Sequence, residues 1–258
     1  PAMNNAQRRL ITAGYAGLPF GEFSKCEAGD VGVLGVPSEV DGGPRSGTSL
    51  APDALRRMSG QLETILPANG RDLGNLDLSG DWSGVLMQLV TQMVDSGVKP
   101  VVLGGASDVA SAVLRALPDL LVVAAMPRAR RDLIERAENT VWVGLNGDQP
   151  AEEWDQISQR AMEWRTARQL DEGHADFSGM PERAVLWIDI SVIDLGHAAG
   201  AVGLNPGGMK PETLVSVIGA MSCNWQAIAI TGLAPARDTR GISELAAIET
   251  LNAALRHG

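Results

Sequence analysis

KPVVLGGASDVASAVLRAL, residues 99–117, decides the fold. Val101, Val102 and Leu103 make a short apolar run with no polar alternation, and the paired Gly104 and Gly105 end it. From Asp108 to Leu117 the apolar positions then take helical spacing. A strand apolar on both faces that leads straight into a helix belongs to a parallel sheet covered on two sides. The same alternation repeats outward along the chain. VGVLGV at 31–36, PVVLGG at 100–105, LLVVAA at 120–125, TVWVGL at 140–145, AVLWIDI at 184–190 and QAIAIT at 226–231 read as buried strands. Helical spacing covers 51–66, 82–96, 108–117, 151–170, 211–221 and 242–255, with Pro52 and Pro211 near helix starts, where a missing N–H costs nothing. The expected fold is α/β, a three-layer α/β/α sandwich with a mostly parallel central sheet, in which ligands bind beyond the carboxyl ends of the strands. The glycine-rich loop from Gly196 to Met209 is expected to lie over those ends.

A chain of 258 residues with 45% hydrophobic and 20% charged residues can bury one large core, so 1–258 reads as a single domain, with 1–30 as an N-terminal extension. The formal net charge of −10 and a pI near 4.8 argue against nucleic acid and acidic membranes as partners. No apolar run approaches the roughly 18 residues of a membrane span. The N-terminus lacks a signal-peptide pattern, so a cytoplasmic location is expected, with Met3 as a candidate native start. Cys26 and Cys223 are far apart and are expected to be small core residues in a reducing compartment. Among the six tryptophans, Trp142, Trp187 and Trp225 are expected in the core, and Trp154 and Trp164 on one face of the 151–170 helix.

Taken in order, the strand ends resemble those of the ureohydrolases, the arginase and agmatinase family, from about Gly32 to Glu249. GVPSEVDGGPRSGTSLAPDALRRMS at 35–59 is similar to the family's early block and keeps the spacing of Arg45, Gly47, Pro52, Ala54 and Arg56. RDLGN at 71–75 resembles a D-x-G-D turn, with Asn75 last. GGASD at 104–108 stands where the family has GGDHS, and TVWVGLNG at 140–147 resembles its VxxGxR strand, with Asn146 in the Arg position. LWIDISVIDLG at 186–196 and NPGGMKPETL at 205–214 resemble the late S-x-D-x-D-x-x-D-P and P-G-G-L blocks.

The resemblance implies hydrolysis of guanidinium compounds by a pair of Mn2+ or Ni2+ ions, held by carboxylates and imidazoles at strand ends. Position by position, the ligand set is lost here. Ser107, with Asp108 beside it, replaces a His ligand, and Ala124, Met126 and Arg128 replace Asp, His and Asp. Asp189 is kept, the next ligand position is Ser191, and Asp194 matches a supporting residue. Gly232 stands where the family has a Glu that contacts the guanidinium. These residues and His197 make up the expected degenerate pocket, with no catalytic or metal-ligating residue assigned and an Arg128–Asp189 ion pair expected in place of the metals.

The implied function is a non-catalytic subunit. It would support a paralogous catalytic ureohydrolase carrying Ni or Mn in a trimeric or hexameric hetero-oligomer, like two-subunit, nickel-dependent members in which one subunit holds the site. The alternative is an agmatinase-like amidinohydrolase with a metal-poor site on Asp189, Asp194, His197 and Ser107. His197 alone, in a glycine-rich loop, is more simply a solvated residue. The same reading suits His174 and Asp176. GGPRSG at 42–47 lacks the Lys-Ser/Thr pair of a phosphate-binding loop.

Overall fold

The computed structural model describes residues 14–39, 46–62, 69–177, 180 and 182–257. Met3, Arg45 and the end of the expected 51–66 helix lie outside them. Eight strands form one fully parallel sheet in the order β2-β1-β3-β8-β7-β4-β5-β6. They are β1 (Val31–Val36), β2 (Gly70–Asn75), β3 (Lys99–Gly104), β4 (Leu121–Ala125), β5 (Thr140–Leu145), β6 (Glu163–Thr166), β7 (Arg183–Asp189) and β8 (Asn224–Thr231). The helices are α1 (Ala51–Gln61), α2 (Trp82–Asp95), α3 (Asp108–Ala116), α4 (Arg131–Ile134), α5 (Ala151–Arg160), α6 (Ala167–Asp171), α7 (Pro211–Ala220) and α8 (Ile242–His257).

The sheet divides the core in two because successive side chains on a strand point to opposite faces. Val101 and Leu103 join one apolar layer, with Leu214, Ile218, Ile248 and Leu251 from α7 and α8. Val102 joins the other, with Leu86 and Val90 from α2 and Val109 and Val113 from α3. Trp142, Trp187 and Trp225 are fully buried, as expected, and so is Cys223, but Cys26 is only half-buried.

Two strands depart from the expectations. RDLGN extends into the edge strand β2, pinned by Asp72, which accepts from Arg56 at both carboxylate oxygens and from the backbone N–H of Tyr15. The expected 151–170 helix is broken into α5, β6 and α6. Thr166 caps α6 in a reciprocal box with Gln169, which ends the strand and opens the new helix. Trp164 therefore lies on β6 and Trp154 on α5, and their rings meet across the two elements at 5.1 Å between centroids.

Among the described residues no helix is long and apolar enough to cross a membrane.

Candidate functional site

The carboxyl ends of β3, β4, β7 and β8 converge at the middle of the sheet. Beyond β3, Gly105 turns the chain so tightly that a Cβ there would sit 1.9 Å from the Ser38 carbonyl oxygen. Ser38 locks the turn: its hydroxyl accepts from the Ala106 N–H at 3.0 Å and donates to Asp108 at 3.0 Å. Asp108 is thereby a turn-building residue, and Ser107 is set at the head of α3 with its Oγ free of capping duty.

That Oγ accepts from Arg130 Nη1 at 2.7 Å. The Arg130 guanidinium lies 5.3 Å from the centre of the Trp187 ring, and it donates to Asp132 at 3.2 Å and to Ser111 at 3.3 Å. Trp187 is fully buried on β7 and fixed by its indole N–H, which donates to Thr231 Oγ1 on β8 at 2.9 Å. A cation over an indole face is held by the ring quadrupole. Arg130 is thus clamped from its face and its edge.

The expected Arg128–Asp189 pair does not form. Leaving β4, the chain runs on beside β5, with Met126 N–H donating to Val143 at 3.1 Å and Asn146 N–H to Pro127 at 2.7 Å. This path carries Arg128 outward, where it pairs with Asp148 and is 64% exposed. Two residues later the chain has turned back, and it is the Arg130 charge that reaches Asp189. Ala124 and Met126 are not pocket residues either, since both are buried in the apolar layer with Trp187. Sequence reasoning missed Arg130 because its placement follows from the loop path. Its only sequence signal is the cluster of arginines after β4.

Asp189 ends β7 and accepts from the Ser191 N–H at 2.9 Å. Burial pushes its carboxyl above the usual carboxylate range, against the lowering effects of Ser191 and Arg130. Gly232 is packed onto it: with φ at +79°, a Cβ there would lie 2.4 Å from Asp189 Oδ1. The strand-end loop closes over this point as expected, with Val202 N–H donating to the Gly232 carbonyl at 2.8 Å and Gly203 N–H to Ser191 Oγ at 2.9 Å.

The raised pKa fixes a sign. A carboxyl with a higher pKa folded than unfolded binds its proton more tightly in the native state, so its ionisation destabilises the fold above the unfolded value of 3.8. Asp189→Asn, which keeps the acceptor for Ser191, is expected to melt higher than wild type at pH 7. The difference should shrink as the pH falls through the acid range and wild-type Asp189 takes up its proton. A lower melting temperature for the variant at pH 7 would contradict this account.

Asp194 stands apart as a loop organiser, accepting from Gly196 N–H at 2.8 Å and Gly207 N–H at 2.7 Å. His197 faces solvent at 53% exposure, with Asp194 3.8 Å away. Among the described residues it makes no hydrogen bond to Ser107 or Ser191, so no nucleophile and base are assembled there. Asn146, in the position of an expected Arg, instead ties β5 to the loop by donating to Asn205 at 2.7 Å.

The ligand positions do not fit a pair of divalent cations. One carboxylate, two serines and two buried apolar side chains supply too few hard donors, and a permanent guanidinium charge lies among them. Among the described residues no three His, Cys, Asp or Glu side chains gather at one point.

Comparison with known proteins bears on the family and the fold. The arginase family model matches residues 29–124 and 122–256. No curated protein sequence matches the chain. In fold the chain is similar to proclavaminate amidino hydrolase from Streptomyces clavuligerus, with a TM-score of 0.77 and 20% identity over 95% of this chain and 96% of that one. It is similar also to the agmatine ureohydrolase of Thermoplasma volcanium, with a TM-score of 0.78 and 18% identity over 95% and 92% of the two chains. The formimidoylglutamase of Bacillus subtilis gives a TM-score of 0.78 and 17% identity over 100% and 94%. With a family model matched along nearly its whole length and the eight-stranded parallel sheet to go with it, the chain belongs to the arginase family.

Proposed function

We propose that this chain is a non-catalytic arginase-family subunit that supports a guanidine- or biguanide-hydrolysing paralogue in a hetero-oligomer. The paralogue would carry the Ni or Mn, and two-subunit metformin hydrolase is the assembly this division of labour resembles. A trimer or hexamer is the proposed form. The observation that carries the reading is Arg130, hydrogen-bonded to Ser107 at one lost ligand position and acting on Asp189, the carboxylate that remains. A guanidinium stays protonated at any working pH and repels a divalent cation. The framework around it is tightly built, from the Gly105 turn and the Ser38 lock to the loop over β7 and β8. Such a scaffold serves assembly when the chemistry is held elsewhere.

The test is co-expression with a paralogue whose GGDHS and DAHxD blocks are complete. The expected result is a co-purifying complex that contains Ni or Mn and hydrolyses guanidine or biguanide substrates, whereas this chain alone neither binds the metal nor turns substrate over. Stoichiometric Ni or Mn in the chain purified alone, with hydrolysis, would overturn the proposal and favour the amidinohydrolase alternative.

A further inference from the structure

The amino ends of the strands, at the far end of the sheet from Arg130, hold an amine that nothing above uses. Of the 21 basic residues only three are lysines, Lys25, Lys99 and Lys210. Lys25 and Lys210 are exposed, whereas Lys99, the first residue of β3, is half-buried. It borders an open cavity of about 340 Å³, with Gly97 ahead of β3 and Asn224 and Gln226 on β8. No acidic residue is among the described residues that line this cavity. The ionisable group that acts on the Lys99 ammonium is the Cys223 thiol, and no carboxylate does. Burial holds the Lys99 pKa below the ordinary lysine value, against a smaller raising effect from Cys223.

A second cation stands at the rim. Arg183, the first residue of β7, is paired in register with Asn224, and its guanidinium donates to Gln226 Oε1 at 2.6 Å. In a chain with a formal net charge of −10, an opening edged by one lysine and one arginine, with no acid lining it, is a local attractor for a small anion. The two cations are suited to different work. A guanidinium holds phosphate oxygens as a fork, and a desolvated amine is a nucleophile.

We propose that Lys99 is an acylation site for a small acyl phosphate, with Arg183 holding the phosphate and the Lys99 amine taking the acyl group. The neutral Nζ attacks the carbonyl carbon and the C–N bond forms. The C–O bond to phosphate breaks, phosphate leaves with the electron pair, and the surplus amine proton passes to solvent. The amide product is uncharged, so acylation removes the cation that burial disfavours. An imine formed with an aldehyde would take up a proton and keep that charge. The proposal does not rest on the subunit reading and is tested on this chain alone.

The full chain is incubated with acetyl phosphate, and acetylation of the three lysines is followed in time by mass spectrometry, with Lys25 and Lys210 as internal controls. Lys99 is expected to react at least about threefold faster than either exposed lysine. Arg183→Gln should slow Lys99 severalfold and leave Lys25 and Lys210 unchanged, while Arg183→Lys, which keeps the charge, should retain most of the wild-type rate. Excess inorganic phosphate should slow Lys99 alone, a readout that needs no variant. S-ethyl thioacetate, an uncharged acyl donor, should show a smaller preference for Lys99. A Lys99 rate at or below that of both other lysines would overturn the proposal. So would a Lys99 rate indifferent to both phosphate and Arg183→Gln, or an equal preference with the uncharged donor.

Discussion

Asp72→Ala is expected to lower the free energy of unfolding by about 3–5 kcal/mol, the range for breaking a buried ion pair on one side. Arg56 and Asp72 are both fully buried at the side chain, and their contact is two-pronged, at 2.7 and 2.8 Å. Asp72 also accepts from the N–H groups of Tyr15 and Gly74, so one carboxylate ties α1, β2 and the segment around Tyr15. Its removal strands the guanidinium, with Asn75, the Gly74 carbonyl and the part-exposed Asp53 as its remaining partners. Urea unfolding should give the loss as a lower midpoint at unchanged slope. Removing both charges, in Arg56→Met with Asp72→Leu, should cost much less, because the penalty lies in the orphaned charge. A loss under about 1 kcal/mol for Asp72→Ala would mean that water or Asp53 compensates Arg56, and the network would not be structural.

Trp187→Ala should cost a similar amount, about 3–5 kcal/mol, the usual range for emptying a buried aromatic site. Trp187 is fully buried, and its partners on the neighbouring strands are the small residues Ala124 and Ala229. Trp187→Phe separates the contributions. It keeps most of the packing and a ring face for Arg130 but leaves Thr231 Oγ1 without its donor, for an expected loss of about 1–2 kcal/mol. Urea is the denaturant of choice in both cases, since it adds no ions to screen the charges around Arg130. Equal losses for the two substitutions would show that the Thr231 bond, and not the ring volume, dominates.

Much of this was legible in the sequence, for a physical reason. Strands buried on both faces are written in Val, Ile, Leu and Ala without interruption, and all six apolar runs became central or near-central strands. The two missed strands are edges. GRDLGN carries two charges and two glycines, and EWRT is half-buried at all four positions, so neither shows the apolar signature. Which side chains stand at the expected ligand positions could be named too, because that depends only on residue identity at matched positions. Which arginine stands beside Ser107 could not. Whether Arg128 or Arg130 turns inward depends on two backbone hydrogen bonds that hold the chain beside β5, and nothing in the spacing reports them.

The strand order has a consequence for how the molecule comes together in time. β1, β2 and β3 can pair among themselves early in synthesis, as can β4, β5 and β6, but these two halves touch only through β7 and β8. β8 begins at Asn224, so the gap between Val101 on β3 and Leu186 on β7 is filled by Ile228, more than a hundred residues after β3 has emerged. Closing so long a loop is slow, and late insertion between exposed strands invites mispairing. The pocket around Trp187 and Arg130 straddles that seam, so it is completed last and reports on whether the final strand has been threaded home.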